Sequence, residues 1–226
     1  MSVEREHASR GYLITVEGID GAGKTTQMSS LAAALEAHGY PVLTTREPGA
    51  TRLGEEVRRL LLDTDIALTP DAELFLFLAD RAEHVARVIA PALAAGTIVL
   101  CDRFSDSTVA YQGYGRQADI ARIRRLDAES RGGIAADLTL LLDCPVEEGG
   151  RRRQRDPDRY QALDLTFHQR VRDGFLALAA AAPERVQRID TTRERDEVRA
   201  EVGRVTLEWL AGRAAHRQRA AERSPS

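Results

Sequence analysis

Residues 18–25, GIDGAGKT, place glycines, a lysine and a threonine at the spacing G-x-x-x-x-G-K-[ST]. Glycines let backbone N–H groups point at phosphate oxygens, and the start of a following helix adds partial positive charge. Lys24 would reach the terminal phosphates of a nucleotide, and the hydroxyl of Thr25 would hold Mg²⁺. A β-rich run precedes the motif and a helix-forming run follows it, which disfavours a chance glycine-rich turn. The predicted ATP-binding residues are Gly18, Ile19, Asp20, Gly21, Ala22, Gly23, Lys24, Thr25 and Thr26.

Lys24 is the only lysine in a chain with 32 lysine and arginine residues in total. A lysine ammonium is a compact point charge that fits a closed ring of backbone groups, whereas arginine carries a broad planar fork. A chain that uses arginine nearly everywhere keeps lysine where the fork does not fit. We therefore expect the Lys24→Arg variant to fold and to lose most phosphoryl transfer.

Strands and helices alternate along the chain, and this order determines how the motif is held. Continuous apolar runs at 97–102 and 138–143 are typical of strands covered on both faces. With further strands at 12–17, 42–45 and 186–190, they predict a five-stranded parallel α/β sheet with right-handed crossovers. The predicted helices cover 25–38, 54–63, a long stretch from Thr69 to Ala95 disturbed near Pro91, 105–112, 119–130, 167–179 and 194–211.

The composition favours one globular domain, since hydrophobic residues make up 43% and charged residues 30% of 226 residues. We expect this domain at 11–211, between mobile ends at 1–10 and 212–226. The net charge of −3 gives no basis for a nucleic-acid partner. No apolar run approaches the roughly 20 residues that span a bilayer, and the N-terminus lacks the apolar core of a secretion signal. We therefore expect a cytoplasmic protein with no membrane partner.

A phosphate-binding loop alone does not separate a kinase from a GTPase or a mechanical ATPase. The N-K-x-D base-reading motif of GTPases needs a lysine, and Lys24 is already part of the loop. Several separated arginines suit an enzyme that clamps two phosphate-bearing substrates at once. Asp102 ends an apolar strand, where an acid can hold Mg²⁺, with a helix cap as its alternative role.

Longer stretches of the chain, from about Tyr12 to Leu210, resemble bacterial thymidylate kinases. The specific part of this resemblance is a set of three short stretches in order: TREPG, then D-R near residue 100, then A-Y-Q-G. The matching stretches are VEGIDGAGKTTQ (16–27), TREPGAT (45–51), FLFLADRAEHV (75–85), CDRFSDSTVAYQG (101–113) and RRRQRDPDRY (151–160). The resemblance implies a three-layer α/β/α P-loop kinase with a short Arg-rich lid at about 150–161. It also implies Mg²⁺-dependent transfer of the γ-phosphoryl group from ATP to dTMP, and a homodimer.

The resemblance assigns the acceptor phosphate and sugar to four residues. Asp20 accepts a hydrogen bond from the 3′-hydroxyl of dTMP, and Tyr111 faces the sugar 2′ position, where its bulk disfavours a ribonucleotide. Arg46 and Arg103 clamp the acceptor phosphate, which suits the bidentate fork of arginine. Otherwise Arg46 would be a solvated loop charge, and Arg103 would pair with Asp102.

Phe77 and Arg81 are four residues apart on a predicted helix and share one face. The resemblance implies that Phe77 stacks on thymine and that Arg81 hydrogen-bonds the edge of the base. From its apolar surroundings alone, Phe77 would be a core aromatic. The other residues that the resemblance places around base and sugar are Ser107, Thr108 and Gln112.

Position 21 is glycine, whereas the eukaryotic enzymes of this family carry their catalytic arginine there. The resemblance therefore implies that the lid supplies this cation. Arg151 and Arg155 are the predicted catalytic lid residues, together with Lys24 and Arg103, and Arg159 would support them. A solvated helix face is the alternative for this arginine run.

The chain departs from the family pattern at two positions. Gln161 stands where the lid usually carries an acid, which affects ion pairing or metal contact in the lid. Ala50 replaces the second glycine of TREPGG, and neither change removes a phosphate ligand.

Three other functions are compatible with the loop. The nearest is another nucleoside monophosphate kinase or a deoxynucleoside kinase of the same fold. A non-catalytic nucleotide-binding module is the second, and the Arg-rich lid argues against it. A P-loop partitioning protein or GTPase switch is the third, and the missing base-reading motif disfavours it.

Overall fold

The computed structural model describes residues 10–152, Tyr160 and residues 163–222, with side chains described as far as residue 215. Within these ranges, five strands form one parallel sheet in the order β2-β3-β1-β4-β5. The strands are β1 (Leu13–Glu17), β2 (Val42–Arg46), β3 (Ile98–Asp102), β4 (Leu138–Asp143) and β5 (Val186–Asp190). The predicted five-stranded parallel sheet is therefore confirmed.

Helices fill the connections between the strands, and several begin at a side-chain cap. The side chains of Thr51, Thr69, Asp119 and Asp164 each accept a hydrogen bond from a backbone N–H of the first helical turn. The helices are α1 (Lys24–Ala37), α2 (Arg52–Leu62), α3 (Pro70–His84), α4 (Ala90–Ala94), α5 (Ser105–Thr108), α6 (Ile120–Ser130), α7 (Val146–Arg152), α8 (Leu165–Ala181) and α9 (Arg195–Glu222).

Two π-helical segments interrupt the predicted helices. The first, Val85–Ile89, joins α3 to α4 and confirms the disturbance expected near Pro91. Proline has no N–H, so the regular bond to the carbonyl four residues earlier is lost and the turn before it widens. The second, Val109–Gly115, follows α5 and carries Tyr111 and Gln112.

The last helix is longer than predicted. The predicted end of this helix at residue 211 is wrong, because α9 continues to Glu222. The added stretch is rich in alanine, arginine, glutamine and glutamate, which are strong helix formers, and proline first appears at 225. The single Gly212 lowers helix stability by about 1 kcal/mol, which is too little to end such a run.

Helices cover both faces of the sheet. Successive side chains of a strand point to opposite faces, and β1 is buried throughout. Ile14 belongs to an apolar cluster with Leu31 and Leu35 of α1, whereas its neighbour Leu13 belongs to a cluster with Ile89. The three-layer α/β/α arrangement is thereby confirmed. No helix in the described part of the chain is long and apolar enough to cross a membrane.

Candidate active site

The loop between β1 and α1 turns against the start of α7. Gly21 has a φ of 81°, a conformation that favours glycine. A Cβ on Gly21 would lie 2.0 Å from the carbonyl oxygen of Gly149. A side chain at position 21 therefore clashes with backbone, which gives a physical reason why this chain carries no arginine there.

Lys24 is the first residue of α1, and its ammonium is enclosed by the loop. Nζ donates to the carbonyl oxygens of Gly18 and Ile19 at 3.2 and 3.0 Å, and it lies 3.9 Å from Oδ1 of Asp20. The residue is only 8% exposed. Burial lowers the pKa of Lys24, and the nearby Arg103 lowers it further. The enclosure agrees with the expectation that a compact cation suits this position.

Asp102 and Thr25 were predicted to hold Mg²⁺. The Oδ1 atom of Asp102 is buried and has no hydrogen-bond partner among the described residues. The alternative role of Asp102 as a helix cap is not seen, because the N-cap of α5 is Phe104, with no side-chain cap bond. A buried carboxylate oxygen without a partner, at the strand end beside the loop, suits a cation ligand. Thr25 is exposed at the start of α1.

The described residues contain no group of three or more His, Cys, Asp or Glu side chains that could hold a metal. Mg²⁺ is usually bound by one or two protein groups, with substrate phosphates and water completing its shell, so Thr25 and Asp102 would be enough to hold it. The donors present therefore fit a nucleotide-bound Mg²⁺ and do not form an all-protein metal cage.

Arg103 follows β3 in an unusual backbone conformation, with a φ of 68°. Two backbone hydrogen bonds hold it there. The N–H of Arg103 donates to the carbonyl oxygen of Val16 at 3.1 Å, and the N–H of Phe104 donates to Oε1 of Glu17 at 2.8 Å. A strained residue fixed by its surroundings is typical of a functional site.

The guanidinium of Arg103 binds four groups at once. Nη1 donates to the carbonyl oxygen of Gly18 at 3.1 Å and to Oγ of Ser107 at 3.0 Å. Nη2 donates to the carboxylate of Asp20 and to the Tyr111 hydroxyl, the latter at 3.2 Å. The guanidinium also lies 5.0 Å from the centre of the Tyr111 ring. The predicted alternative pairing of Arg103 with Asp102 is therefore replaced by a pair with Asp20.

Glu17 lies directly beneath Arg103 and is completely buried. Besides the Phe104 N–H, it accepts a hydrogen bond from the Ser107 hydroxyl at 2.5 Å. Burial, with a smaller contribution from Asp106, raises the pKa of Glu17 to about 8. The same Ser107 hydroxyl accepts from Arg103, so Glu17, Ser107 and Arg103 form one chain of hydrogen bonds.

Arg81 lies at the other end of the site and is 1% exposed. Glu47 and Asp127 bind its guanidinium, which also stacks over the Phe104 ring at 5.0 Å. Phe77, one turn earlier on α3, packs against Tyr160, with ring centres 6.1 Å apart. The predicted helical face with Phe77 and Arg81 is thus directed into the site.

One cleft brings most of the predicted acceptor residues together. It begins at the phosphate-binding loop and ends at Arg81. Every predicted dTMP-binding residue except Arg46 lines it, namely Asp20, Phe77, Arg81, Arg103, Ser107, Thr108, Tyr111 and Gln112. Burial raises the pKa of Tyr111, so its hydroxyl remains protonated.

Arg46 lies outside this lining. It ends β2 opposite Asp102, and its side chain is exposed. Its neighbour Thr45 contacts Nε2 of His84 at 2.7 Å, on the side of the sheet that α3 covers. The Nε atom of Arg46 nevertheless lies 3.7 Å from the position that a Cβ on Gly49 would take, and the Arg58 side chain is 3.0 Å from the same position.

The predicted lid arginines are only partly described. Arg151 lies on α7, is largely exposed and pairs with Glu148 one turn earlier. It does not line the cleft. Arg155, Arg159 and Gln161 lie outside the described residues, so their assignments stay predictions.

The sequence analysis assigned no role to several cleft residues, among them Glu47, Arg58 and Tyr160. Glu47 lies inside the TREPG stretch, and this position could have identified it as a site residue. Arg58 donates to the carbonyl oxygen of Pro48 at 3.1 Å, and nothing in the sequence separates it from the other arginines of its helix. Tyr160 ends the Arg-rich run, and its contact with Phe77 joins parts of the chain that are far apart in sequence.

Comparison with known proteins agrees with this geometry. The sequence profile of the family described as Thymidylate kinase matches residues 16–202. The chain is 49% identical over 207 residues to a thymidylate kinase of Trichlorobacter lovleyi, covering 88% of this chain and 98% of that protein. It is 48% identical over 196 residues to the thymidylate kinase of Deinococcus radiodurans, covering 86% of this chain and 95% of the relative.

A solved structure gives the same result. The crystal structure of thymidylate kinase from Ehrlichia chaffeensis superposes with a TM-score of 0.74 at 38% sequence identity, covering 87% of this chain and 99% of that one. The expected P-loop kinase fold is confirmed. With its profile match, its relatives and its fold in agreement, the chain belongs to the thymidylate kinase family.

Proposed function

We propose that this chain is a Mg²⁺-dependent thymidylate kinase that transfers the γ-phosphoryl group of ATP to dTMP, giving dTDP and ADP. The observation that carries the proposal is the cleft itself. It joins a phosphate-binding loop to an aromatic and arginine-lined pocket through Arg103 and Asp20, which pair with each other. A nucleoside monophosphate placed along it presents its phosphate toward Lys24 and its base toward Phe77.

Arg103 holds the acceptor phosphate in this proposal. Its guanidinium is fixed by backbone strain and by hydrogen bonds to Ser107 and Tyr111. The pair with Asp20 is the contact that an incoming phosphate competes with, because phosphate oxygens suit the same planar donors. Arg46 and Arg58 both approach Gly49, and Arg58 lines the cleft, so these two arginines would add positive charge beside the acceptor phosphate.

The acceptor needs little chemical activation. The second pKa of a phosphate monoester is about 6, so the attacking oxygen is already ionised near neutral pH. The chain accordingly has to position two phosphates and neutralise their charge. Lys24 and Arg103 provide fixed cations, and we propose that Arg151 and Arg155 of the lid, supported by Arg159, complete them.

Asp20 and Tyr111 select the sugar in this proposal. Asp20 offers a carboxylate to the 3′-hydroxyl, and the Tyr111 ring occupies the space beside the 2′ position. The ring is buried against Phe167 and Phe175, with centre distances of 6.2 and 6.3 Å, so it cannot move aside easily. A ribonucleotide with a 2′-hydroxyl is then disfavoured by steric contact.

Thr25 and Asp102 would hold Mg²⁺ together with the ATP phosphates. The buried, unpartnered Oδ1 atom of Asp102 supports this assignment. When bound, Mg²⁺ neutralises phosphate charge and orients the transferring group. The residues of the chain need only to orient this complex toward the acceptor.

A substrate panel tests the proposal. ATP consumption is measured with dTMP, dUMP, CMP, AMP and thymidine as separate acceptors, with product identity checked by chromatography. We expect dTMP to be the best acceptor by kcat/KM and to give dTDP and ADP. Preference for CMP, AMP or thymidine would identify a different kinase of this fold, and absence of ADP with every acceptor would identify a binding module.

Membership of this family also supports a homodimer located in the cytoplasm. Light scattering of the purified chain tests the first proposal, with twice the 24.9 kDa chain mass as the expected result. Cell fractionation tests the second.

A further inference from the structure

Arg81 offers the cleft a restricted set of hydrogen-bond donors. Nε donates to Oε2 of Glu47 at 2.9 Å, and Nη2 lies 2.8 Å from the same oxygen. Nη1 uses both of its hydrogens, donating to Asp127 at 2.7 Å and to Thr108 at 3.0 Å. Nη2 is therefore the nitrogen that retains an N–H for a ligand. A guanidinium has no acceptor atom, so this end of the cleft can donate and cannot accept.

Asp127 fixes the orientation of this donor from outside the cleft. It lies on α6 and is buried, and it does not line the cleft. Its Oδ1 atom accepts from Arg81 and also from Ser105 at 2.8 Å, while Oδ2 accepts from Arg131 at 2.8 Å. These bonds leave the carboxylate little freedom to rotate. Asp127 therefore holds Nη1 in place, and the planar guanidinium transmits that placement to Nη2.

Two carboxylates are needed to hold this guanidinium still. Glu47 alone binds Nε and Nη2 through a single oxygen, so the plane of Arg81 could pivot about that atom. Asp127 binds the opposite nitrogen and removes this pivot. A buried ion pair that loses one partner leaves an uncompensated charge, and the remaining groups rearrange around it.

Resting on the proposed function, we propose that Asp127 is a positioning residue that determines base specificity. Arg81 is a donor in any orientation, and Asp127 fixes where the remaining N–H of Nη2 points. This fixed N–H makes the cleft accept pyrimidines with a carbonyl oxygen at ring position 4 and reject those with an amino group there. Thymine and uracil carry an acceptor at this position, whereas cytosine carries a donor. Facing a fixed N–H, the cytosine amino group leaves two donors without an acceptor, which is a costly arrangement in a buried site.

The test compares dissociation constants of dTMP and dCMP for the wild type and for Asp127→Asn, measured by calorimetry without ATP. We expect the wild type to prefer dTMP and the variant to lose about tenfold or more of that preference, the scale of one charge-assisted hydrogen bond. With ATP present, the KM for dTMP should rise while kcat changes little, because the reacting phosphate is at the other end of the cleft.

Asp71→Asn is the matched control. Asp71 also links α3 to α6, through a pair with Arg122 at 2.7 Å, but this pair is exposed and neither residue lines the cleft. We expect it to leave the preference unchanged. If Asp127→Asn fails to fold, Thr108→Val replaces it in the test. It removes the second acceptor of Nη1 without removing a charge, and it should also lower the preference for dTMP over dCMP.

An Asp127→Asn variant that weakens both nucleotides equally, with the preference within threefold of the wild type, would overturn the inference. A wild type that binds dTMP in preference to dCMP but transfers no phosphoryl group would refute the proposed function alone. A wild type without any preference between the two nucleotides would refute the role of Asp127.

Discussion

At the base end of the cleft, two carboxylates bind Arg81. At the phosphate end, Lys24 and Arg103 bind mainly backbone carbonyls and hydroxyls, and both lie close to the carboxylate of Asp20. Arg81 is 1% exposed and its charge is compensated before any substrate arrives. The phosphate end holds two cations close enough for Arg103 to lower the pKa of Lys24. Two carboxylates bind Arg81 directly, whereas at the phosphate end only Asp20 pairs with the two cations and Asp102 is left to a bound metal ion.

The two ends also differ in how they are fixed. Side chains from two helices and one loop fix Arg81, since Thr108 and Asp127 come from α5 and α6 and Glu47 follows β2. The backbone fixes Arg103, through its φ of 68° and the buried acceptor Glu17. Substitutions at the phosphate end should consequently reduce turnover, whereas those at the base end should change selectivity. The following predictions test this difference, from the largest expected effect to the smallest.

Lys24→Arg should reduce kcat by about 100-fold or more while the melting temperature changes little. Nζ occupies a narrow enclosure between the carbonyl oxygens of Gly18 and Ile19, which a guanidinium cannot enter. Steady-state ADP production with dTMP measures the effect. Arg59→Lys, which exchanges the cation of an exposed pair with Glu56, is the control and should behave as wild type. Near-wild-type turnover of Lys24→Arg would show that the enclosure does not discriminate.

Arg103→Lys should lower kcat/KM for dTMP by about 10- to 100-fold, because one ammonium cannot reach Gly18, Ser107 and Tyr111 together. Affinity for ATP, measured without acceptor, should stay within about threefold of wild type. Arg188→Lys is the control, because Arg188 forms its pair with Asp143 away from the cleft. Equal losses for ATP and dTMP would place Arg103 with the donor instead of the acceptor.

Gly21→Ala should destabilise the protein more than Gly39→Ala, by at least about 1 kcal/mol. Both glycines have similar φ values, 81° and 83°. A Cβ on Gly39 would have no atom within 4 Å, so that variant should show only the backbone cost of about 1–2 kcal/mol. Denaturant unfolding measures both free energies. If they are equal, the contact with Gly149 is easily relieved.

Glu17→Gln should flatten the dependence of stability on pH. The pKa of Glu17 is about 8 in the folded protein and 4.5 for the free group, so the folded state holds an extra proton between these values. The wild type then loses stability as pH rises through this interval, and the neutral variant lacks this loss. We expect the melting temperature of the wild type, relative to the variant, to fall by a few degrees from pH 5 to pH 8.5.

Asp80 provides an internal check on that measurement. Burial raises its pKa to about 6, which gives a slope of the same sign at lower pH. Because Asp80 is present in both proteins, its contribution cancels in the difference. A difference that stays constant from pH 5 to pH 8.5 would mean that Glu17 is ionised in the folded protein.

The sequence was sufficient for those parts of the site that depend on local order. The loop at 18–25, the acid at the end of β3 and the shared face of Phe77 and Arg81 each follow from spacing along one element. The five strands were also predictable, because their apolar runs and the glycines that bound them are local signals.

The parts that the sequence missed or left open depend on contacts between distant residues. Asp127 is 46 positions from Arg81, and no pattern in α6 distinguishes it from Glu129, the other acid of that helix. The place of the Arg46 side chain, near Gly49 and Arg58, depends on how β2 and α2 pack together. Arg155 and Arg159 remain predictions, and the sequence gives their register only within the arginine run.

The close approach of Gly21 to Gly149 makes these two positions epistatic. An arginine introduced at position 21 has no space while the carbonyl of Gly149 lies 2.0 Å from its Cβ position. Moving the catalytic cation from the lid into the phosphate-binding loop therefore cannot proceed by one substitution in this background. The start of α7 would have to move away from the loop to make room for such a side chain.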